Sequence, residues 1–486
     1  MRNVKAGVLL ICAVLLTGCG KSNDSGVNAE TVVEENAEAA VEENATINAE
    51  VNTEANEISP IVDRDGADPF VMRYGEHYLY TKTTGNNISL AMTDSIQTLG
   101  AAELQSIYEP GAELQDLWAP EIWQIDGTWY IYFAAVVPGE EMHHMYVLSN
   151  ESDDPMQGEW ECSALSGMDD KFAIDGTIME VNGKRYFIWS GWEGYENIRQ
   201  DIYLAEMVSP IEVMDEKILL SAPEYDWEMI GEPLVNEGPE AIVRGSTLNV
   251  VYSASGSWTD DYCLGLLTMN IDSDPKNPDS WVKKETPVMS KELDVYGPGH
   301  NCFTTSIDGK EDLIIYHAAR WMSAGWNRSI RFGYIDFDEN GMLQKISVKS
   351  GEDFEKIPSG EPMVSVYPAD QFDLSGDLEL REDSGITYAV GMVSAEDIAK
   401  VSINSKEERD VYVTVFVKVD DLLGGVISGI EACLNGEAMS QELYAAENYQ
   451  PLYFPFHLEK GENILELRTD IGGTELKISR VELRYN

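Results

Sequence analysis

The sequence predicts an all-β chain, a five-bladed β-propeller followed by a C-terminal, jelly-roll-like β-sandwich. Three observations lead there. A motif made of a polar anchor, an apolar stretch, a Gly turn and alternating aromatics occurs five times, at steps of about fifty to sixty residues. Each copy reads as a strand, a tight turn and a second strand of period two. Helical periodicity is nearly absent from the same region.

In chain order, the first element is an address. Arg2 and Lys5 precede an apolar run from Gly7 to Leu16 that is too short to span a bilayer. It ends in Leu16-Thr17-Gly18-Cys19, which resembles a bacterial lipobox with Cys19 as the lipidated residue. A plain signal peptide with a chance Cys is the alternative. Residues 1–19 are thus expected to leave the chain anchored by lipid at the extracellular face of a bacterial membrane. Residues 20–58 follow as an acidic tether. The stretch Lys21 to Pro60 holds ten acidic residues, one basic and no aromatic, and cannot bury enough apolar surface to fold.

The propeller is expected over residues 59–355. Its repeats begin at Asp68-Pro69-Phe70-Val71, Trp118-Ala119-Pro120-Glu121-Ile122, Ile174-Asp175-Gly176-Thr177-Ile178, Glu237-Gly238-Pro239-Glu240 and Gly299-His300-Asn301-Cys302-Phe303. Their turn glycines are Gly75, Gly127, Gly183, Gly245 and Gly309. A propeller sets the first strand of every blade around its axis. Asp68, Asp175, Glu237 and His300 should therefore converge at one end of the channel. Three carboxylates in one place raise one another's pKa. Glycoside hydrolysis needs such an arrangement, one group held as acid and another as base. Taken singly, each could instead be a turn carboxylate capping backbone amides.

Composition narrows the partners. The 33 Lys+Arg against 86 Asp+Glu give a formal charge of −53, which repels nucleic acid and anionic lipid. Without the leader and the tether, 30 basic and 76 acidic residues remain, so the folded part is itself acidic. The 11 Trp and 23 Tyr suit a neutral sugar gripped by aromatic faces. Of six Cys, those at 162, 263, 302 and 433 are widely spaced, with no CxxC, so neither a disulfide framework nor a zinc pattern is expected.

Asp68 within Ala67-Asp68-Pro69, Trp118-Ala119-Pro120, Ile174-Asp175, Glu237-Gly238-Pro239 and Gly297-Pro298-Gly299-His300-Asn301 together resemble glycoside hydrolase family 43. The resemblance implies Asp68 as general base, Glu237 as general acid, and Asp175 as the residue that tunes and orients the acid. It also implies inversion at the anomeric carbon. Glu240 is the competitor for the acid role, and the Glu-Gly-Pro context favours Glu237. Gly176 departs from the family, where many members have Pro, and is expected to loosen that loop. His300 resembles the residue that helps hold a hydrated, structural Ca²⁺, with no cofactor required for the chemistry. Arg328 and Arg331 resemble an Arg that contacts the sugar, though either could be a surface ion-pair member. Trp118 is a candidate to stack on the sugar or, alternatively, a blade-core residue. The runs Phe172-Ala173-Ile174-Asp175, Tyr252-Ser253-Ala254-Ser255 and Tyr262-Cys263-Leu264-Gly265 are most similar to the exo-acting α-L-arabinofuranosidase branch, which releases terminal arabinose from the arabinan of plant cell walls. β-Xylosidase, endo-arabinanase and arabinoxylan debranching share the same carboxylates, and a non-catalytic sugar-binding propeller is the reading outside the enzymes.

Residues 362–486 form the expected β-sandwich, marked by the alternation of Val411-Tyr412-Val413-Thr414-Val415-Phe416-Val417. Its ending, Leu458 to Leu467, resembles jelly-roll carbohydrate-binding modules. All 11 Trp lie between Trp118 and Trp326, so a sugar platform here would fall to Tyr444, Tyr449 and Tyr453, expected in a loop. The alternative is a purely structural domain.

Overall fold

The computed structural model describes residues 53–168, 170–419, 426–469 and 476–485. The expected leader with Cys19, and the tether up to residue 52, lie outside the described residues.

Five antiparallel blades follow one another along the chain, the third and fourth joined into one sheet by a short parallel pairing of Arg199 and Gln200 with Leu234 and Val235. Blade I is Phe70–Tyr74, His77–Thr81, Ile88–Thr93 and Gln105–Tyr108, and blade II is Gln115–Ile125, Thr128–Val136, His144–Asn150 and Glu161–Ala164. Blade III runs Ala173–Val181, Lys184–Gly191, Arg199–Ser209 and Ile218–Ser221, with the short Glu212–Val213 beside it. Blade IV is Leu234–Arg244, Thr247–Ala254, Cys263–Asn270 and Val282–Lys283. Blade V is Tyr296–Thr305, Asp312–Ala319 and Arg328–Tyr334, and its fourth strand is Ile61–Asp63 from the other end of the domain. That strand closes the ring and leaves no blade with a missing edge.

The apolar cores lie between blades, which explains why the second strands are apolar on both faces. One core joins blades II and III, the next III and IV, the next IV and V, and a larger one gathers I, II and V. Leu313, Ile314 and Ile315 are all fully buried although successive side chains point to opposite faces. The five turn glycines all adopt positive φ, between 58° and 90°, between the first and second strands of their blades.

The sequence expectation of a tether reaching residue 58 needs correcting. Thr53–Ala55 pairs with Val364–Pro368, and Glu57–Ile58 pairs with Glu355–Lys356. Backbone pairing is indifferent to the acidic composition of this stretch, and Ile58 supplies a fully buried anchor.

The C-terminal domain is a sandwich of one seven-stranded and one five-stranded sheet around a main core that includes Val413, Val415, Ile430, Leu465, Leu467 and Val481. It docks on the propeller through buried polar contacts. The Tyr453 hydroxyl lies within hydrogen-bond reach of the Val62 and Gln97 carbonyls at 3.0 and 3.1 Å. Arg484, paired with Glu482 at 2.8 Å, donates to the Gln97 carbonyl. The tyrosines expected as a loop platform are not in a loop. Tyr444 ends the strand Glu437–Tyr444, while Tyr449 and Tyr453 lie in Ala446–Leu458 and are buried. Tyr453 faces the propeller because its ring and hydroxyl are used in docking.

Candidate active site

Five residues at matched places on or just before the first strands have left-handed backbones: Asp68, Ala119, Asp175, Gly238 and His300, with φ between 44° and 54°. In blades II to V the pairing register slips at this place, between Trp118 and Glu121, Ile174 and Thr177, Glu237 and Glu240, and Gly299 and Cys302. A bulge there breaks the alternation and re-aims one side chain per blade. The strain of a non-Gly residue at positive φ is repeated around the ring, as it is at many functional sites.

Asp68, Asp175, Glu237 and His300 are thereby brought together. Donor atoms of Asp175, Glu237 and His300 all lie within 4.8 Å of one another, and all three residues are buried. His300 Nδ1 is 3.2 Å from Asp68 Oδ1. Asp68 Oδ2 accepts from the Thr83 hydroxyl at 2.6 Å, and the Thr83 oxygen in turn accepts from the Ala119 amide at 2.8 Å. The same carboxylate faces Arg328 Nη1 at 3.7 Å. The Asp68 amide donates to His317 Nδ1 at 3.1 Å, which leaves that imidazole's proton on Nε2, an atom buried without a partner.

Glu237 accepts from the Tyr262 hydroxyl at 2.8 Å. Burial drives its pKa up to about 7; Tyr262 and Arg328 oppose the rise and Asp68 adds to it. Asp175 accepts from the Gly238 amide, next in the chain to Glu237, at 3.0 Å. Burial, then Glu237 and Asp68, push its carboxyl well above the ordinary range. The His300 pKa is lowered by burial, so its imidazole is neutral near pH 7. The arrangement can hold a proton on one carboxyl, and orient another carboxylate toward a water, within one cluster.

Glu240 is engaged with a different partner. Its carboxyl hydrogen-bonds that of Glu121, which also accepts from Trp123 Nε1 at 3.1 Å. Burial raises both carboxyls, Glu121 to about 8. Two carboxylates can hydrogen-bond only through a shared proton, so this pair is occupied with itself.

Trp118 is half-buried and stacks on the His143 ring, with centroids 3.7 Å apart and planes at 21°. It also packs against the core between blades II and III. Arg328 touches the cluster; its Nη2 donates to the Ser257 carbonyl at 2.7 Å. Arg331 does not. It is fully buried and donates to the Lys349 carbonyl at 3.1 Å. Residues three apart in a strand point to opposite faces, so only one of the two arginines can reach the axis. Gly176 is also corrected. A Cβ there would collide with the Phe187 ring, so the glycine marks tight packing and not a loosened loop.

Sequence reading missed Thr83, Tyr262 and His317. The signal for His317 was a lone histidine directly after the apolar run Leu313-Ile314-Ile315-Tyr316, and Tyr262 stood in a run noted only for its resemblance; Thr83 carried none.

Residues 58–343 match the family model described as glycosyl hydrolases family 43. The extracellular exo-α-(1→5)-L-arabinofuranosidase of Streptomyces chartreusis is 35% identical over 274 residues, which cover 54% of this chain and 82% of that protein. α-L-Arabinofuranosidase B of Pyricularia oryzae is 33% identical over 376 residues, 74% of this chain and 71% of that one. Among solved structures, an α-L-arabinofuranosidase from Lactobacillus brevis superposes with a TM-score of 0.56 at 30% identity, covering 60% of this chain and 96% of its own. An exo-β-1,3-galactanase from Phanerochaete chrysosporium, 11% identical, shares the fold over 88% of this chain and all of its own, with a TM-score of 0.52.

Proposed function

The chain belongs to glycosyl hydrolases family 43, and on that premise we propose that it releases terminal α-L-arabinofuranose from arabinan or arabino-oligosaccharides with inversion. The observation that carries the mechanism is Glu237, raised to about 7 within the side-chain cluster that also holds Asp68. The arabinofuranosidase names of the relatives support the sugar.

In this mechanism Glu237 gives its proton to the departing glycosidic oxygen while Asp68 takes one from the attacking water. Thr83 and Arg328 hold Asp68 in place. Asp175 positions the acid through the Gly238 amide, while burial and the charge of Asp68 keep the proton on Glu237. Trp118, on the rim, offers a face to the sugar ring, and Arg328 a guanidinium to its hydroxyls. The three acidic anchors Asp68, Asp175 and Glu237 are all kept, which favours an enzyme over a sugar-binding propeller.

A cation fits here only with most of its water shell. Ca²⁺ takes six to eight oxygen ligands, whereas Asp175, Glu237 and His300 offer two carboxylates and a nitrogen. Direct ligation would also keep Glu237 from holding a proton. His300 would then contribute the protein's side of a hydrated, structural site, and no proton transfer passes through the metal.

The relatives' names describe extracellular proteins. Anchoring through Cys19 at the outer face of the membrane is the finer reading.

Product analysis on linear arabinan, debranched arabinan and xylo-oligosaccharides tests the assignment. Free arabinose as the sole early product is expected. Xylose, or a ladder of arabino-oligosaccharides, would transfer the enzyme to the β-xylosidase or endo-arabinanase reading.

A further inference from the structure

Beside the acid stands a pair of indoles to which the proposed mechanism gives no task. The pairing of Asn236 with Ala254 in blade IV, and of Tyr296 with Ala319 in blade V, sets the end of each second strand level with the start of the first. The loops that follow, residues 255–262 and 320–327, therefore leave their blades at the end where the anchors converge. Trp258 lies in the first loop and Trp326 in the second, with ring centroids 6.4 Å apart and planes at 77°. Trp326 is 68% exposed, an unusual state for so large an apolar side chain, and Met322 in the same loop is exposed too.

The exposed ring is nevertheless held. Trp326 Nε1 donates to the Ser257 hydroxyl oxygen at 3.3 Å, and that hydroxyl hydrogen-bonds Glu237. The two loops are tied to each other, since the Ser323 amide donates to Asp260 Oδ1 at 2.7 Å. Trp258 lies against glycine, where a Cβ on Gly256 would come within 2.7 Å of its ring. The sandwich backs the second loop. Trp321 and Ala324 share an apolar cluster with Ala445, and the Glu447 amide donates to the Arg320 carbonyl at 2.9 Å. Side chains fixed in this way by two blades and a second domain have little rotamer freedom left to lose when a ligand binds.

Position decides which part of a substrate would meet them. The acid has to reach the glycosidic oxygen, and that oxygen goes with the departing sugar. A platform joined to the acid through one hydroxyl therefore faces the leaving side of the bond, whereas the sugar to be released sits between Glu237 and Asp68. The apolar C–H face of a sugar ring can lie on an indole while its hydroxyls stay in water.

We propose that Trp258 and Trp326 form the platform for the sugar residue on the leaving side of the cleaved bond, so that the enzyme selects an oligosaccharide over a glycoside with a small aglycone. That this residue is a second arabinofuranose rests on the arabinofuranosidase reading above; the place of the platform does not.

The test is the ratio of kcat/KM on α-1,5-arabinotriose to kcat/KM on methyl α-L-arabinofuranoside, whose leaving group is a comparably poor alkoxide without a second ring. Trp326→Ala, at an exposed position and checked by its Tm, should lower that ratio about tenfold, the worth of one aromatic face and the area it covers. Trp326→Phe keeps a flat face without the N–H to Ser257 and should restore most of the ratio. An unchanged ratio in Trp326→Ala overturns the proposal. A ratio that falls equally in Trp326→Phe also overturns it, because the effect then belongs to the hydrogen bond with Ser257. An unaltered enzyme that leaves both arabinosides intact but cleaves xylotriose and methyl β-D-xylopyranoside defeats the arabinofuranosidase reading instead, and the same ratio on those two xylosides then decides the platform.

Discussion

Glu237→Gln is the substitution that most directly probes the chemistry, because it removes a proton while preserving the shape of the side chain. A carboxyl at the ordinary 4.5 would be protonated to only about 0.3% at pH 7. Raised to about 7, Glu237 is protonated in half of the molecules, roughly 150-fold more. That proton matters in proportion to how badly the leaving group needs it. On an arabino-oligosaccharide, whose leaving group is a poor alkoxide, Glu237→Gln should cost about 10²–10⁴-fold in kcat, the usual contribution of a general acid. On a 4-nitrophenyl arabinofuranoside, which departs without help, the loss should be far smaller. The pH profile supplies an independent readout. The acid works only while protonated, so the unaltered enzyme's rate should fall as pH rises through about 7, and this descending limb should vanish in the variant. Glu240→Gln, whose carboxyl is engaged with Glu121, should show no dependence on the leaving group. Equal losses for Glu237→Gln on both substrates would refute the assignment of the acid.

Four further outcomes are expected. Asp68→Asn should fold normally, checked by its Tm, yet lose about three orders of magnitude or more on both substrates alike, since the water needs activation in either case. Proton NMR of fresh product, read before mutarotation, should show the inverted anomer; retention would require a nucleophile in place of a base. Glu121 retains its proton in the folded state up to about pH 8, whereas the unfolded chain releases it near 4.5. Its contribution to stability is therefore full below pH 4.5 and is lost progressively as pH rises to about 8, by about 1.4 kcal/mol per pH unit, and Glu121→Gln should flatten that part of the Tm–pH curve. Removing metal with EDTA should lower Tm or rate modestly without abolishing either, and elemental analysis of the untreated protein should find calcium.

How much could be read in advance differs from feature to feature. The sequence by itself determined the architecture, because the five copies of anchor, turn glycine and alternating aromatics are local patterns of period two. Blade packing then demands strands apolar on both faces, as at Leu313 to Ile315. The same periodicity indicated Asp68, Asp175, Glu237 and His300, since equivalent positions in a ring of repeats must meet at its axis. Three things were decided only by tertiary structure. The closing strand Ile61–Asp63 carries no copy of the repeated motif, and the paired Thr53–Ala55 comes from a stretch whose composition reads as unfolded; only a partner far along the chain satisfies their backbones. Thr83, Tyr262 and His317 reach the site from outside the repeated anchor positions, so the periodicity that marks the anchors does not mark them. Arg328 and Arg331 look equivalent on paper, yet the pleat sends one to the axis and the other to the domain interface, because a strand turns its side chains over at each residue and only the fold says what lies on either face.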